Sequence, residues 1–125
     1  METKHAILIA EDDKETSSTL EEHISNEGYD THVALDGEEA MSQLAKKKFD
    51  LVILDLKMPK VGGFEILSHI KKNTPSTKVI VLTAYADYKN TEICKRLGAD
   101  HILTKPFDLE ILFWTINMII KKWSN

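Results

Sequence analysis

A few polar residues in this chain are of the types, and at the places, needed to handle a phosphoryl group. Asp55 follows four consecutive apolar residues, Leu51-Val52-Ile53-Leu54. Such a run reads as a short strand buried on both faces, so the carboxylate after it stands where the sheet ends. In open parallel α/β sheets that carboxyl edge is where ligands bind. Glu11 and Asp12 follow another apolar run, Thr83 a third and Lys105 a fourth. If these ends lie side by side, three carboxylates, a hydroxyl and an ammonium converge. Three carboxylates repel one another and call for protonation or a cation. An all-oxygen site open to water favours Mg²⁺, and Lys105 adds a mobile positive charge. A carboxylate can accept a phosphoryl group as an acyl phosphate. The transfer needs in-line positioning and neutralised equatorial oxygens, and Thr83 is placed to donate to one of them. Taken singly, each residue has an ordinary explanation: a strand-end cap, helix-start acids, a strand-end hydroxyl, a surface lysine. Their joint arrangement carries the inference.

The elements that must position them alternate. His5–Ala10 predicts strand one. A weakly amphipathic helix over 13–27 carries Leu20 and Ile24 inward and stops at Gly28. Asp30–Leu35 predicts an edge strand, and helix two follows with Ala40, Met41, Leu44 and Ala45 as its buried stripe. Lys46-Lys47-Lys48 suits the carboxyl end of that helix and reads as a solvated turn. Strand three is Leu51–Leu54. Helix three carries Phe64, Leu67 and Ile70, and Pro75 lies beyond its end. Lys78–Leu82 predicts strand four. Helix four, over about 87–97, places Ile93 and Leu97 inward and closes at Gly98. His101–Thr104 predicts strand five, and helix five runs from about Asp108 to Trp123. This is an α/β (βα)₅ chain with a doubly wound, five-stranded parallel sheet. Right-handed crossovers restrict its topology, and strand order 2-1-3-4-5 is expected. Residues 1–125 read as a single domain without repeats, linkers or low-complexity segments.

Composition excludes several classes. The chain is 42% hydrophobic and 29% charged with net charge −4, which supports neither direct nucleic-acid binding nor membrane attraction. No apolar run approaches a membrane span, and the start lacks a signal-peptide core. The lone Cys94 excludes an internal disulfide and suits a reducing compartment, so a cytoplasmic protein is expected. Cys94 reads as a half-buried filler. The five histidines lack metal-ligand spacing and read as surface or edge residues.

Four motifs, ILIAEDD at 7–13, DLVILDLKMP with the glycines that follow at 50–63, VIVLTA at 79–84 and GADHILTKPF at 98–107, resemble the receiver domain of two-component response regulators, and the chain is similar to that family along nearly its whole length. The resemblance implies the CheY-like, flavodoxin-like three-layer sandwich. It implies Asp55 as phosphoacceptor, Asp12 as a Mg²⁺ ligand with Glu11 beside it through water, and the Lys57 backbone carbonyl as another ligand. Lys105 would bind the phosphoryl group, Thr83 would move to it, and Lys105-Pro106 would be cis. The donor would be a phosphohistidine on a sensor histidine kinase or a histidine phosphotransfer protein. Three positions depart from the pattern; at one of them, Glu11, Glu for Asp is a frequent variant and leaves the metal site credible. Ile102 stands where the family usually has Tyr or Phe, so no aromatic rotamer can act there. Gly62 replaces a common Asp, and Gly is an acceptable N-cap.

Helix five is apolar on two sides. Leu109, Leu112, Phe113, Ile116, Ile120 and Trp123 should face the sheet. Ile111, Trp114 and Met118 fall opposite at about 100° per residue and point to a partner, homodimer or output-domain surface shared with helix four and strand five. Tyr85 and Tyr88 border that surface. Two other readings fit a carboxylate nucleophile less well. A Mg²⁺-dependent aspartyl-phosphate phosphatase or phosphotransferase would want a second aspartate where Lys57 stands. A phosphorylation-independent pseudo-receiver would not need the full acidic, Thr and Lys set.

Overall fold

The computed structural model describes residues 4–84 and 86–124, with side-chain surroundings up to residue 120. Five strands alternate with five helices: β1 (Ala6–Ala10), α1 (Lys14–Asn26), β2 (Asp30–Ala34), α2 (Gly37–Lys46), β3 (Leu51–Leu54), α3 (Gly63–Asn73), β4 (Lys78–Thr83), α4 (Tyr88–Leu97), β5 (His101–Thr104) and α5 (Leu109–Ser124). The strands form one sheet in the order β2-β1-β3-β4-β5, and every pair is parallel. The expected topology is observed, and β2 is an edge strand.

Side chains alternate across a strand, so the apolar runs feed two cores. Leu8, Val52, Leu54, Val79 and Val81 pack with Ala40, Ile66, Leu67, Ile70 and Cys94 from α2, α3 and α4. Ile7, Ile9, Leu51, Ile53, Ile80 and Leu82 pack with Leu20, Ile24, Leu112, Ile116 and Ile120 from α1 and α5. A strand covered on both faces has no reason to alternate apolar with polar residues. That is why the central strands read as continuous apolar runs. Each buried Leu or Ile contributes about 1.5–3 kcal/mol relative to exposure.

The helices start where short acceptors stand. Asp13, Asp36 and Asp87 are the N-caps of α1, α2 and α4, and each accepts from a backbone N–H three residues on. Gly62 caps α3 without a side-chain bond. The capping aspartates, expected to open helices one and four, therefore lie just outside them. Gly98 ends α4 with φ +100°, a left-handed value that costs glycine little.

Several expectations are corrected. Ala45 is exposed, because α2 has turned past the sheet by that residue. Ile66, not assigned inward beforehand, is fully buried, and Phe64 only half-buried. Cys94 is fully buried and takes the inward place expected of Ile93, which is half-buried. Thr83 is the last residue of β4 rather than the first beyond it. Tyr85 and the Trp123 side chain lie outside the described residues.

The turn after β3 is packed too closely for any side chain at Gly63. A Cβ there would lie 2.5 Å from the Leu56 Cα and 2.8 Å from the Asp55 carbonyl oxygen. Those are backbone atoms and cannot swing away. Gly63→Ala is expected to lower stability by about 1–3 kcal/mol or more through overpacking, measured by urea unfolding. Gly62→Ala, with nothing within 4 Å of the new methyl, should stay within about 0.5 kcal/mol of wild type.

Candidate functional site

Backbone pairing continues past the strand ends and sets the site. The Glu11 N–H donates to the Ala34 carbonyl at 3.0 Å, and the Asp55 N–H donates to the Ala10 carbonyl at 3.0 Å. Glu11 and Asp55 are thus held one step beyond the carboxyl ends of β1 and β3. On the far side, the Lys105 N–H donates to the Thr83 carbonyl at 2.9 Å. Lys105-Pro106 is a cis peptide, as the resemblance implied.

These side chains meet. Carboxylate oxygens of Glu11, Asp12 and Asp55 all lie within 4.8 Å of one another. Among the described residues they are the group of three acidic, His or Cys side chains gathered tightly enough to hold a metal ion. Glu11 and Asp55 are only 3% and 7% exposed, and Asp12 is open to solvent. Lys105 Nζ donates to Glu11 Oε1 and, at 3.1 Å, to Asp55 Oδ2. The remaining oxygens take backbone donors: the Asp13 N–H to Glu11 Oε2 at 3.1 Å and the Lys57 N–H to Asp55 Oδ1 at 3.2 Å. Thr83 is fully buried at the end of β4, and its backbone is tied to Lys105. The side chain of Lys57 is exposed.

The charges are coupled. Burial pushes the Glu11 carboxyl above its ordinary value, against the hydrogen bonds from Lys105 and the Asp13 N–H, and the Asp55 charge adds to the rise. Burial works to lower the Lys105 ammonium, yet its hydrogen bonds to Glu11 and Asp55, with their charges, hold it above the usual lysine range. The lysine is therefore charged at neutral pH and serves as counter-ion to two buried carboxylates.

Two contributors were not legible in the sequence. The Asp13 N–H steadies Glu11, a backbone role that no residue type announces. Leu56, Lys57, Phe64 and Asn90 line an apolar groove of about 320 Å³ beside the site, formed where α3 and α4 begin. Only the packing of two helices separated in sequence creates it.

Fold and site together define a known class. A family model, the response regulator receiver domain, matches residues 7–117. The chain is 34% identical over 116 residues to response regulator ArlR of Staphylococcus aureus, covering 93% of this chain and 52% of that one. It is similar to a CheY-like receiver domain of Methanospirillum hungatei, with TM-score 0.94, 27% identity and 98% of both chains covered. It is also similar to the BeF3-activated receiver domain of DrrB, an OmpR/PhoB homologue of Thermotoga maritima. There the TM-score is 0.89 at 30% identity, with 95% of this chain and 99% of that one covered. The chain belongs to the response regulator receiver domain family of two-component systems. It spans about half the length of the curated relatives it matches. Among the described residues no helix is long and apolar enough to cross a membrane.

The ammonium between two buried carboxylates sets a stability test. Lys105→Met is expected to cost about 1–3 kcal/mol, because it leaves buried carboxylates without their charged partner. The double variant Glu11→Gln/Lys105→Met should recover part of that loss, since partners removed together leave less unsatisfied charge. Urea midpoints at pH 7 in the presence of a chelator check both.

Proposed function

We propose that this receiver is a phosphorylation switch with Asp55 as its acceptor. A sensor histidine kinase or histidine phosphotransfer protein presents a phosphohistidine. The Asp55 carboxylate oxygen forms a bond to phosphorus as the phosphorus–nitrogen bond breaks, and the departing imidazole takes up a proton. Lys105 follows the phosphoryl oxygens and offsets their charge. The buried Thr83 hydroxyl offers a hydrogen bond once the phosphoryl group is present. Water later attacks the phosphorus, the bond from phosphorus to the Asp55 oxygen breaks, and inorganic phosphate leaves the restored carboxylate.

The acidic group fits a magnesium ion in its chemistry. All donors are oxygens, one flank is open to water, and Mg²⁺ keeps several waters while taking a few carboxylates. Asp12, Asp55 and the Lys57 carbonyl would hold it, with Glu11 beside them. When bound, it would neutralise charge on the transferring group. Such a protein is a signalling switch with self-catalysed chemistry rather than a metabolic enzyme. The position two residues past Asp55 is Lys57 and supplies no second carboxylate, which disfavours the phosphatase reading. The observation that carries the proposal is Lys105 bridging Glu11 and Asp55. It joins a nucleophile, an acidic partner and a cation at one sheet edge. The BeF3-activated state of the DrrB receiver domain supports it, because a tetrahedral beryllium fluoride imitates a phosphoryl group.

Output would leave through α4, β5 and α5. Trp114, Ile111 and Met118 are 61%, 52% and 47% exposed on α5, and Tyr88 opens α4 at 82%. Their neighbours Leu112, Thr115 and Ile116 are buried, so α5 carries one apolar face inward and another outward. Ile102 is half-buried against the α2–α3–α4 core, and a branched aliphatic has no ring to rotate. Any readout through β5 would therefore use displacement of the chain. The surface fits a second copy, an output domain or another protein partner.

Two experiments test these readings. Incubation with a small acyl phosphate and Mg²⁺ should add one phosphoryl group to wild type by intact mass and none to Asp55→Asn. An unmodified wild type would overturn the proposal. Trp114→Glu should leave that reaction unchanged and keep stability within about 0.5 kcal/mol. It should also abolish self-association or partner binding in light scattering and pull-down. Association that persists undiminished removes α5 as the output face.

A further inference from the structure

Both oxygens of the Glu11 carboxylate carry a hydrogen bond. Its Oε1 accepts from Lys105 Nζ and its Oε2 from the Asp13 N–H. Of the two carboxylates that Lys105 joins, Glu11 is the more deeply buried. Asp12, the third acid, is exposed and stands outside that bridge. The ammonium thus lies between the two buried acids of the group that would receive a divalent cation. Ammonium and cation cannot both use the same lone pairs. Glutamate rather than aspartate at this position matters for reach: it carries the carboxylate one carbon–carbon bond, about 1.5 Å, further toward Lys105.

We infer that Glu11 is a clasp on Lys105 that a divalent cation must open, so that its glutamate length sets how tightly this receiver binds magnesium. The inference rests on the magnesium reading above and deepens it. Opening the clasp frees the ammonium from Glu11 and leaves it beside Asp55, where an incoming phosphoryl group would need it. Cation binding and release of the lysine are then one coupled event, and coupling is reciprocal. Whatever draws Lys105 away from Glu11 raises cation affinity.

Magnesium affinity measured by calorimetry on wild type, Glu11→Asp, Lys105→Gln and the double variant isolates the coupling. Circular dichroism confirms that each is folded. Glu11→Asp keeps the charge and withdraws the reach. It is expected to tighten magnesium about fivefold or more, the lower end of ordinary coupling between sites. In the Lys105→Gln background the same change should have almost no effect, because no ammonium remains to be held. An equal change in both backgrounds would mean that aspartate is simply the better ligand, and no change in either would mean that the clasp does not compete. Both results overturn the inference and leave the magnesium reading standing. Absence of magnesium binding in all four proteins overturns that reading and the inference with it.

Discussion

Two buried carboxylates at the end of a sheet cannot stand without a positive charge, and Lys105 supplies it. Glu11 and Asp55 are held there by backbone hydrogen bonds to Ala34 and Ala10, so neither can retreat into water. Their mutual repulsion and loss of hydration would cost several kcal/mol unpaired. The lysine arrives from a strand at the opposite side of the sheet, on a backbone bonded to Thr83. This one compensation ties β1, β3, β4 and β5 together at their carboxyl ends. It also makes the edge responsive, since any competing cation or anion must renegotiate the same three groups.

The other edge of the sheet uses similar residues for a different end. Asp50 accepts from the Ala6 N–H at 2.7 Å, and Asp100 accepts from the Val79 N–H and from Lys71, each at 2.8 Å. The Thr77 hydroxyl donates to the Phe49 carbonyl at 2.8 Å. There the acids bond to the ends of β1 and β4 and to Lys71, and they close the sheet. At the carboxyl edge Glu11 and Asp55 share one lysine, and each takes one further backbone N–H. The contrast lies in one ammonium serving two buried carboxylates, not in residue type.

The helices differ in how firmly they are seated. α4 is anchored by a single fully buried side chain, Cys94, whereas α3 buries Gly63, Ile66, Leu67 and Ile70. An element with so few buried side chains sits at the low end of local stability, and α2, whose buried residues are Gly37 and Ala40, is placed similarly. α5 is the opposite case. Leu112, Ile116 and Ile120 lie in the core, and Asn117 accepts from the Tyr29 hydroxyl at 2.5 Å. α5 is thus firmly seated while its Trp114 stays exposed.

Strand identity, helix ends, the alternating architecture and the candidate residues were legible in the chain because they are local. A run such as Leu51–Leu54 has one comfortable place, between two helical layers, and Gly28 and Gly98 mark helix ends through the left-handed geometry they tolerate. Strand order and the gathering of Glu11, Asp12, Asp55 and Lys105 at one edge followed once crossovers were taken as right-handed. What the chain could not state was decided by packing at a scale finer than periodicity. One residue of helical phase, about 100°, separates Cys94 from Ile93 and decides which is buried. One residue of strand length puts Thr83 inside β4. The grip of Glu11 on Lys105 depends on how two strands not paired to each other are spaced across the sheet. Sequence patterns report which residues prefer the interior and where the backbone turns; distances between side chains far apart along the chain exist only after the sheet has closed around its two cores.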